Sequence, residues 1–158
     1  MKAKDGVLGH LGKVLTAELT AGHQYLLDAA LCANWGYARL HHTLHERALE
    51  EVGHAAGVMN HILYLEGSPD VHHLDPVKAT ATVLDLIKNE LALEVEDLAM
   101  LREAITHCTT VGDFTSRKKL EDMITDTEEH IDWAETQLRT IQQVGIERYL
   151  SEQIKKPE

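Results

Sequence analysis

Glu50-Glu51-Val52-Gly53-His54 sets a carboxylate and an imidazole three residues apart inside a strongly helical run. Helical positions i and i+3 lie one above the other, so Glu51 and His54 share a face and can converge on one point, as two ligands of one metal must. Alone, the pair reads equally as an exposed acid beside a satisfied histidine. The rest of the chain decides between the two. Glu18 and Glu94 each fall inside another amphipathic run, and a fourth run carries Thr127 three residues before His130. A carboxylate-bridged two-metal site in a four-helix bundle takes one Glu from each of two helices and a Glu-x-x-His from each of the other two. Glu18, Glu51, His54, Glu94 and His130 supply that pattern except at its sixth position, where Thr127 stands. Simple salt bridging among these acids is the alternative.

On the N-terminal side, Val7, Leu8, Leu11, Val14, Leu15 and Leu19 recur at helical spacing and predict a helix over about 5–33, with Glu18 flanked by core positions. Asn34-Trp35-Gly36 supplies turn residues, and the helix carrying Glu51 and His54 follows over about 37–65. Gly53 and Gly57 interrupt it, each costing about 1 kcal/mol relative to Ala in an exposed helix interior. They suggest close approach of another helix or a ligand, a tolerated defect being the alternative. Glu66-Gly67-Ser68-Pro69-Asp70 stops the helix. The connection beyond it, of roughly fifteen residues, exceeds the two to eight that join antiparallel neighbours and is long enough to cross the length of a bundle.

A third helix is expected over about 83–107, with Leu84, Ile87, Leu91, Val95, Leu98, Leu101 and Ile105 as its apolar stripe and Glu94 beside it. Asp113 is the expected N-cap of a fourth, over about 113–144. Gly145 breaks that helix, and the segment 146–154 is amphipathic enough to form a short fifth before the charged end Lys155-Lys156-Pro157-Glu158. The expectation is one all-α domain over 1–158: a four-helix bundle with a long second-to-third crossover and a short fifth helix.

Composition narrows the function. With 44% hydrophobic but only 4% aromatic residues, the core is one of aliphatic helix packing. A formal charge of -11 argues against a nucleic-acid binder or an anionic-membrane binder, both of which need clustered Lys and Arg, and suits a protein that attracts cations or basic partners. Cys32 and Cys108 make neither a zinc spacing nor a disulfide framework, and the start lacks secretory-signal character, so a reducing cytoplasm is expected. No apolar run approaches membrane-spanning length. Carboxylates and imidazoles on helices make a two-iron centre the favoured metal site.

Beyond these ligands, the chain resembles the bacterioferritins along nearly its whole length. The resemblance is carried by His23-Gln24-Tyr25, Asn34-Trp35-Gly36, Ile62-Leu63-Tyr64-Leu65-Glu66-Gly67, Leu101-Arg102-Glu103-Ala104-Ile105, His130-Ile131-Asp132-Trp133, Gly145 and Tyr149-Leu150. It implies a ferritin-like subunit of a hollow shell of two dozen copies that stores ferric mineral, with a ferroxidase centre. It further implies that Glu18 and His54 bind one iron, Glu94 and His130 the other, and that Glu51 bridges them. A second bridging Glu is normal for the family where this chain has Thr127. Glu128 and Glu129 lie roughly 200° and 100° from His130 on an ideal helix and Asp126 about 40°, so Asp126 alone is a stand-in, or else orients a histidine. The family's haem-binding methionine is replaced by Val52, so no haem is expected in a homomer. Met59 is expected in the core or at an interface.

Several further residues remain as expectations. Tyr25 and Trp133 read as electron donors to the centre or as packing residues. Glu46 and Glu50, one turn apart, read as an auxiliary cation site or a charged face. His41, His42, His45, His72 and His73 read as surface or interface histidines. The function expected is iron storage with ferrous oxidation by dioxygen or peroxide, in a homomeric or mixed shell served by a ferredoxin-type reductant for iron release. The alternatives are a non-catalytic structural subunit that co-assembles with a complete bacterioferritin partner, and a free-standing two-metal oxidase.

Overall fold

A computed structural model describes residues 1–156; Pro157 and Glu158, the end of the charged tail, lie outside the described residues. The helices are α1 (Val7–Asn34), α2 (Ala38–Tyr64), α3 (Val83–Thr110), α4 (Phe114–Val144) and α5 (Ile146–Gln153). No strand occurs among the described residues. Helix starts follow local chemistry. The Thr82 hydroxyl accepts from the Asp85 amide at 3.1 Å, and Asp113 accepts from the Ser116 amide at 3.0 Å, each satisfying an otherwise unpaired N–H of the first turn. Between α4 and α5 the backbone turns through Gly145 at φ 83°, a left-handed conformation that a Cβ disfavours.

α1 pairs with α2 and α3 with α4, and the segment from Leu65 to Thr82 crosses between the two hairpins. That crossover is tied to α1 by backbone amides. Asp75 donates to the Thr20 hydroxyl at 3.0 Å and Lys78 to Gln24 Oε1 at 2.8 Å, while Gln24 Nε2 returns a bond to the Lys78 carbonyl at 2.8 Å. At the other end, α5 packs Tyr149 into the bundle, its hydroxyl donating to Gln137 of α4 at 3.0 Å.

The interior divides into two apolar clusters. One gathers Leu11, Leu15, Val58, Leu101 and Leu120; the other gathers Leu40, Leu44, Leu86, Ile87 and Ile141. Each fully buried Leu or Ile contributes about 1.5–3 kcal/mol. On every long helix the stretch between the two clusters is where the acids and histidines fall: Glu18 on α1, Glu51 on α2, Glu94 on α3 and His130 on α4, all buried.

One sequence expectation is corrected here. The α3 stripe is displaced: Val95 is 51% exposed, and the buried face runs through Leu86, Ile87, Glu90, Glu94, Leu101, Ala104 and Cys108. Two carboxylates occupy that inward face, so a pattern of apolar residues alone misaligns it. Within the chain itself, Gly53 and Gly57 meet no close neighbour, since a Cβ at either would meet nothing within 4 Å. They line a groove of about 230 Å³ with His54, Val58, His61 and Met123. No helix among the described residues is long and apolar enough to cross a membrane.

Candidate metal centre

Two donor groups form between the apolar clusters. Glu18, Glu51 and His54 offer one ligand atom each within 4.8 Å of one another, and so do Glu51, Glu94 and His130. Glu51 belongs to both. Its Oε2 lies 3.0 Å from His54 Nδ1, and its Oε1 lies 3.1 Å from His130 Nδ1. Glu18 Oε2 stands 3.2 Å from the same His54 nitrogen, and Glu94 Oε1 stands 3.0 Å from the same His130 nitrogen. Each imidazole therefore turns Nδ1 toward a carboxylate pair, with Glu51 as the shared member.

The outer nitrogens are held as well. His54 Nε2 is 2.9 Å from Asp126, and His130 Nε2 is 3.0 Å from Glu50. Both acids are about half exposed, at 49% and 56% for their side chains. A carboxylate on the second nitrogen fixes ring orientation and raises the basicity of the first. Asp126 thus meets the opposite edge of His54 from the carboxylate cluster. Thr127 is buried, but its hydroxyl donates to the Met123 carbonyl at 3.2 Å, one turn back on its own helix.

The electrostatics are those of acids crowded out of water. Burial pushes Glu18 well above the ordinary carboxylate range, and its neighbour Glu51 adds to that, while His54 opposes it. For Glu51, burial works in the same upward direction, but hydrogen bonds from His130, His54 and Glu18 outweigh it and hold the group well below the usual range. His54 is pushed up to about 11 by its bonds to Glu18 and Glu51. His130 reaches about 9 because Glu51 and Glu94 overcome the opposing effect of burial. In the metal-free protein, protons carry the positive charge that the three acids demand.

Two consequences can be measured. A divalent cation in each donor group should expel the proton of its histidine, together with any that Glu18 carries, so calorimetric titrations in buffers of different ionisation enthalpy should return about two protons or more at neutral pH. Stability of the metal-free protein should also depend on alkaline pH. A histidine raised from 6.5 stabilises fully below that value and loses its contribution as pH rises through its folded pKa, here across about 9 to about 11. The melting temperature should fall through that window, and saturating divalent cation should flatten the fall.

The other expected residues separate. Tyr25 is buried on α1 and its hydroxyl donates to Glu94 Oε1, with its ring edge-on to His130 at 5.9 Å. Burial, then Glu94 and Glu90, push its phenol well above the ordinary value. Trp133 is half-buried under the Arg47 guanidinium, 4.6 Å from the ring centroid. Glu46 and Glu50 turn to different partners: Glu46 pairs with His42 at 3.2 Å, whereas Glu50 reaches His130. The two share no metal-ligating group among the described residues. His41 bonds the Ala29 carbonyl at 2.9 Å, His73 approaches Asp75 at 3.6 Å, and neither joins a donor cluster. Val52 is 50% exposed, and Met59 packs against the first apolar cluster. Sequence reading missed Asp28, Arg47 and Glu90, all buried in the core. The available signal was a charged residue at helical spacing within a buried face, Glu90 one turn before Glu94.

A family model described as the ferritin-like domain matches residues 8–144. The chain is 36% identical to a protein named bacterial ferritin from Synechocystis sp., over 98% of this chain and 99% of that one. It is 37% identical to a bacterioferritin of Rhodobacter capsulatus, over 92% and 90%, and 34% identical to one of Mycobacterium leprae, over 99% of each.

Proposed function

The chain belongs to the bacterioferritins of the ferritin-like family, and from that premise we propose that it is an iron-storage subunit: it takes up ferrous iron, oxidises it at the Glu51-centred cluster and stores the ferric product inside a hollow shell of two dozen subunits. The observation that carries this reading is Glu51 itself, with one oxygen toward His54 and the other toward His130. Loading the purified assembly aerobically with ferrous salt should give a soluble ferric product inside the shell, visible as electron-dense cores by microscopy. Ferric precipitate outside an empty shell would contradict it.

The donor set fits iron. Three buried carboxylates and two imidazoles are hard and borderline donors, and their excess negative charge already draws protons onto the histidines. Iron is the substrate, each ferrous ion giving up one electron to dioxygen or peroxide. Glu18 and His54 would hold one ion and Glu94 and His130 the other, with Glu51 between them. Asp126 and Glu50 orient the rings. Tyr25 is the better-placed electron donor, because its O–H already points at an acceptor carboxylate when the electron leaves. Trp133 is the poorer one, because the guanidinium over its ring opposes loss of an electron. Glu94 thus serves ligand and phenol together.

A second reading is favoured by Thr127, whose hydroxyl is engaged by backbone, and by Val52, which has no donor atom. A subunit lacking both family ligands suits a mixed shell in which a second bacterioferritin chain supplies them. Native mass spectrometry of the assembly from its own host separates homomer from mixture. Leu26, Leu49 and Val52 are exposed apolar residues on α1 and α2 that a neighbouring copy can cover. Sedimentation at micromolar concentration should therefore find a large assembly, and iron release from it would draw on a ferredoxin-type reductant.

Haem gives an independent check. The homomer should bind none stoichiometrically, since a symmetric site would lose both axial sulfurs at once. Val52→Met should create a saturable haem spectrum of one haem per subunit pair. Haem bound with methionine ligation by the unmodified homomer would mean that the donor lies elsewhere, with Met59 the first residue to replace.

A further inference from the structure

Toward α5, the core holds a second pair of acids that the carboxylate–histidine cluster does not use. Asp28 of α1 and Glu90 of α3 are 0% and 1% exposed, and Arg47 of α2 is 8% exposed. Asp28 Oδ2 accepts from Gln24 Nε2 at 3.0 Å. Its Oδ1, both oxygens of Glu90 and Arg47 Nη1 find no hydrogen-bond partner among the described residues' own donors and acceptors. Tyr25 of α1 is bonded to Glu94 of α3, and Asp28 and Glu90 each lie one turn along those same two helices, which brings the two buried carboxyl groups into one stretch of the core where each acts on the other. Two ionised carboxylates in that position have only acceptor atoms and repel, and buried polar groups left so are costly. One proton placed between them converts the contact into a strong, charge-assisted hydrogen bond.

We propose that Asp28 and Glu90 bind a single proton between them, Glu90 donating to Asp28, and that this acid pair with Arg47 is a proton-binding site separate from the carboxylate–histidine cluster. Charge balance selects a proton over a metal. Two carboxylates, one guanidinium and one proton sum to zero, whereas a divalent cation would leave the pocket positive beside Arg47. The surrounding groups are consistent with that balance. Tyr25 and Cys32 of α1 and Tyr149 of α5 are each pushed up, by burial first and then in part by Glu90, so they stay neutral; Arg47 of α2 is the facing cation. From α4 come Trp133, beneath Arg47, and His130, on which Arg47 also acts. Glu94, one turn along α3, adds only through-space repulsion to Glu90.

Infrared difference spectra of the full-length protein at neutral pH test this directly. The wild type should show, in the carbonyl band of protonated carboxylic acids, a component that is lost in both Asp28→Asn and Glu90→Gln and retained in Glu18→Gln. The double variant Asp28→Asn/Glu90→Gln, an uncharged pair of the same shape, carries the test if a single variant folds poorly. A melting-temperature series adds a second readout. Burial raises Asp28 to about 6 and lifts Glu90 well above the ordinary range, so this contribution is complete at acid pH and is lost as pH rises through those values. Removing either acid should flatten that slope. A wild-type spectrum without such a band, or one whose band neither Asp28→Asn nor Glu90→Gln diminishes, overturns the proposal. So does Zn(II) binding in Glu51→Ala that disappears when Glu90→Gln is added, which would make the pair a metal site. None of these readouts depends on iron oxidation.

Discussion

Thr127→Glu should tighten binding of the second ferrous ion and speed ferrous oxidation by at least about 10–100-fold, the range that even outer partners of metal ligands command. Thr127 is buried one turn before His130 on the same face of α4, so a longer side chain there enters the space between the histidines. The present hydroxyl does not serve that space, because it donates to the Met123 carbonyl. A carboxylate adds a negative charge and a second ligating oxygen, and both favour a paired divalent site. The gain has a cost without metal. A fourth buried acid joins Glu18, Glu51 and Glu94, so metal-free Thr127→Glu should melt below wild type and metal-loaded Thr127→Glu above it. Stopped-flow oxidation and anaerobic metal titration read the first effect, and calorimetry with and without Co(II) reads the second. Fast oxidation with two metals per subunit in the unmodified protein would mean that the bridge is already complete.

Glu51→Ala should have the largest damaging effect of any single ligand change. Glu18 and Glu94 each approach one histidine, whereas Glu51 approaches both. Its removal would withdraw a donor from each metal position and also the acid that the two imidazoles share. Both ions should be lost together, and oxidation should fall by well over the roughly 10–100-fold expected for an outer partner. Glu18→Ala is the control: it should weaken the ion at His54 and leave the one at His130 measurable. Equal losses for Glu18→Ala and Glu51→Ala would mean that the two groups of donors are not joined through Glu51. The metal-free Glu51→Ala protein should also lose much of the alkaline pH dependence of stability, since both histidines lose an acid partner.

The helices and the five donor residues that gather between the apolar clusters were legible in the sequence because their signal is local. An apolar run with helical period places its own face, and a Glu-x-x-His spacing places two donors on it without reference to anything distant. What the sequence left open was contact between helices. Asp126 lies within about 40° of His130 on an ideal helix, yet the ring it meets is His54 of α2. Glu50 looked like a partner for Glu46 because they are one turn apart, but its oxygen crosses to α4. Asp28, Arg47 and Glu90 come from three helices and carry no spacing in common. Along α3, reading only apolar residues drew the stripe through exposed Val95 when the buried face held Glu90 and Glu94. The stripe was drawn with Glu94 beside it, whereas Glu94 lies on the buried face itself.

The most direct measurement is anomalous diffraction at the iron edge from crystals of the homomer soaked anaerobically with ferrous salt. One strong peak is expected among Glu18, Glu51 and His54 Nδ1 or among Glu51, Glu94 and His130 Nδ1, with a second, weaker peak in the other group, both touching Glu51. Thr127→Glu should bring the two peaks to equal height. Iron on the surface histidines with neither peak at Glu51 would contradict the two-metal centre.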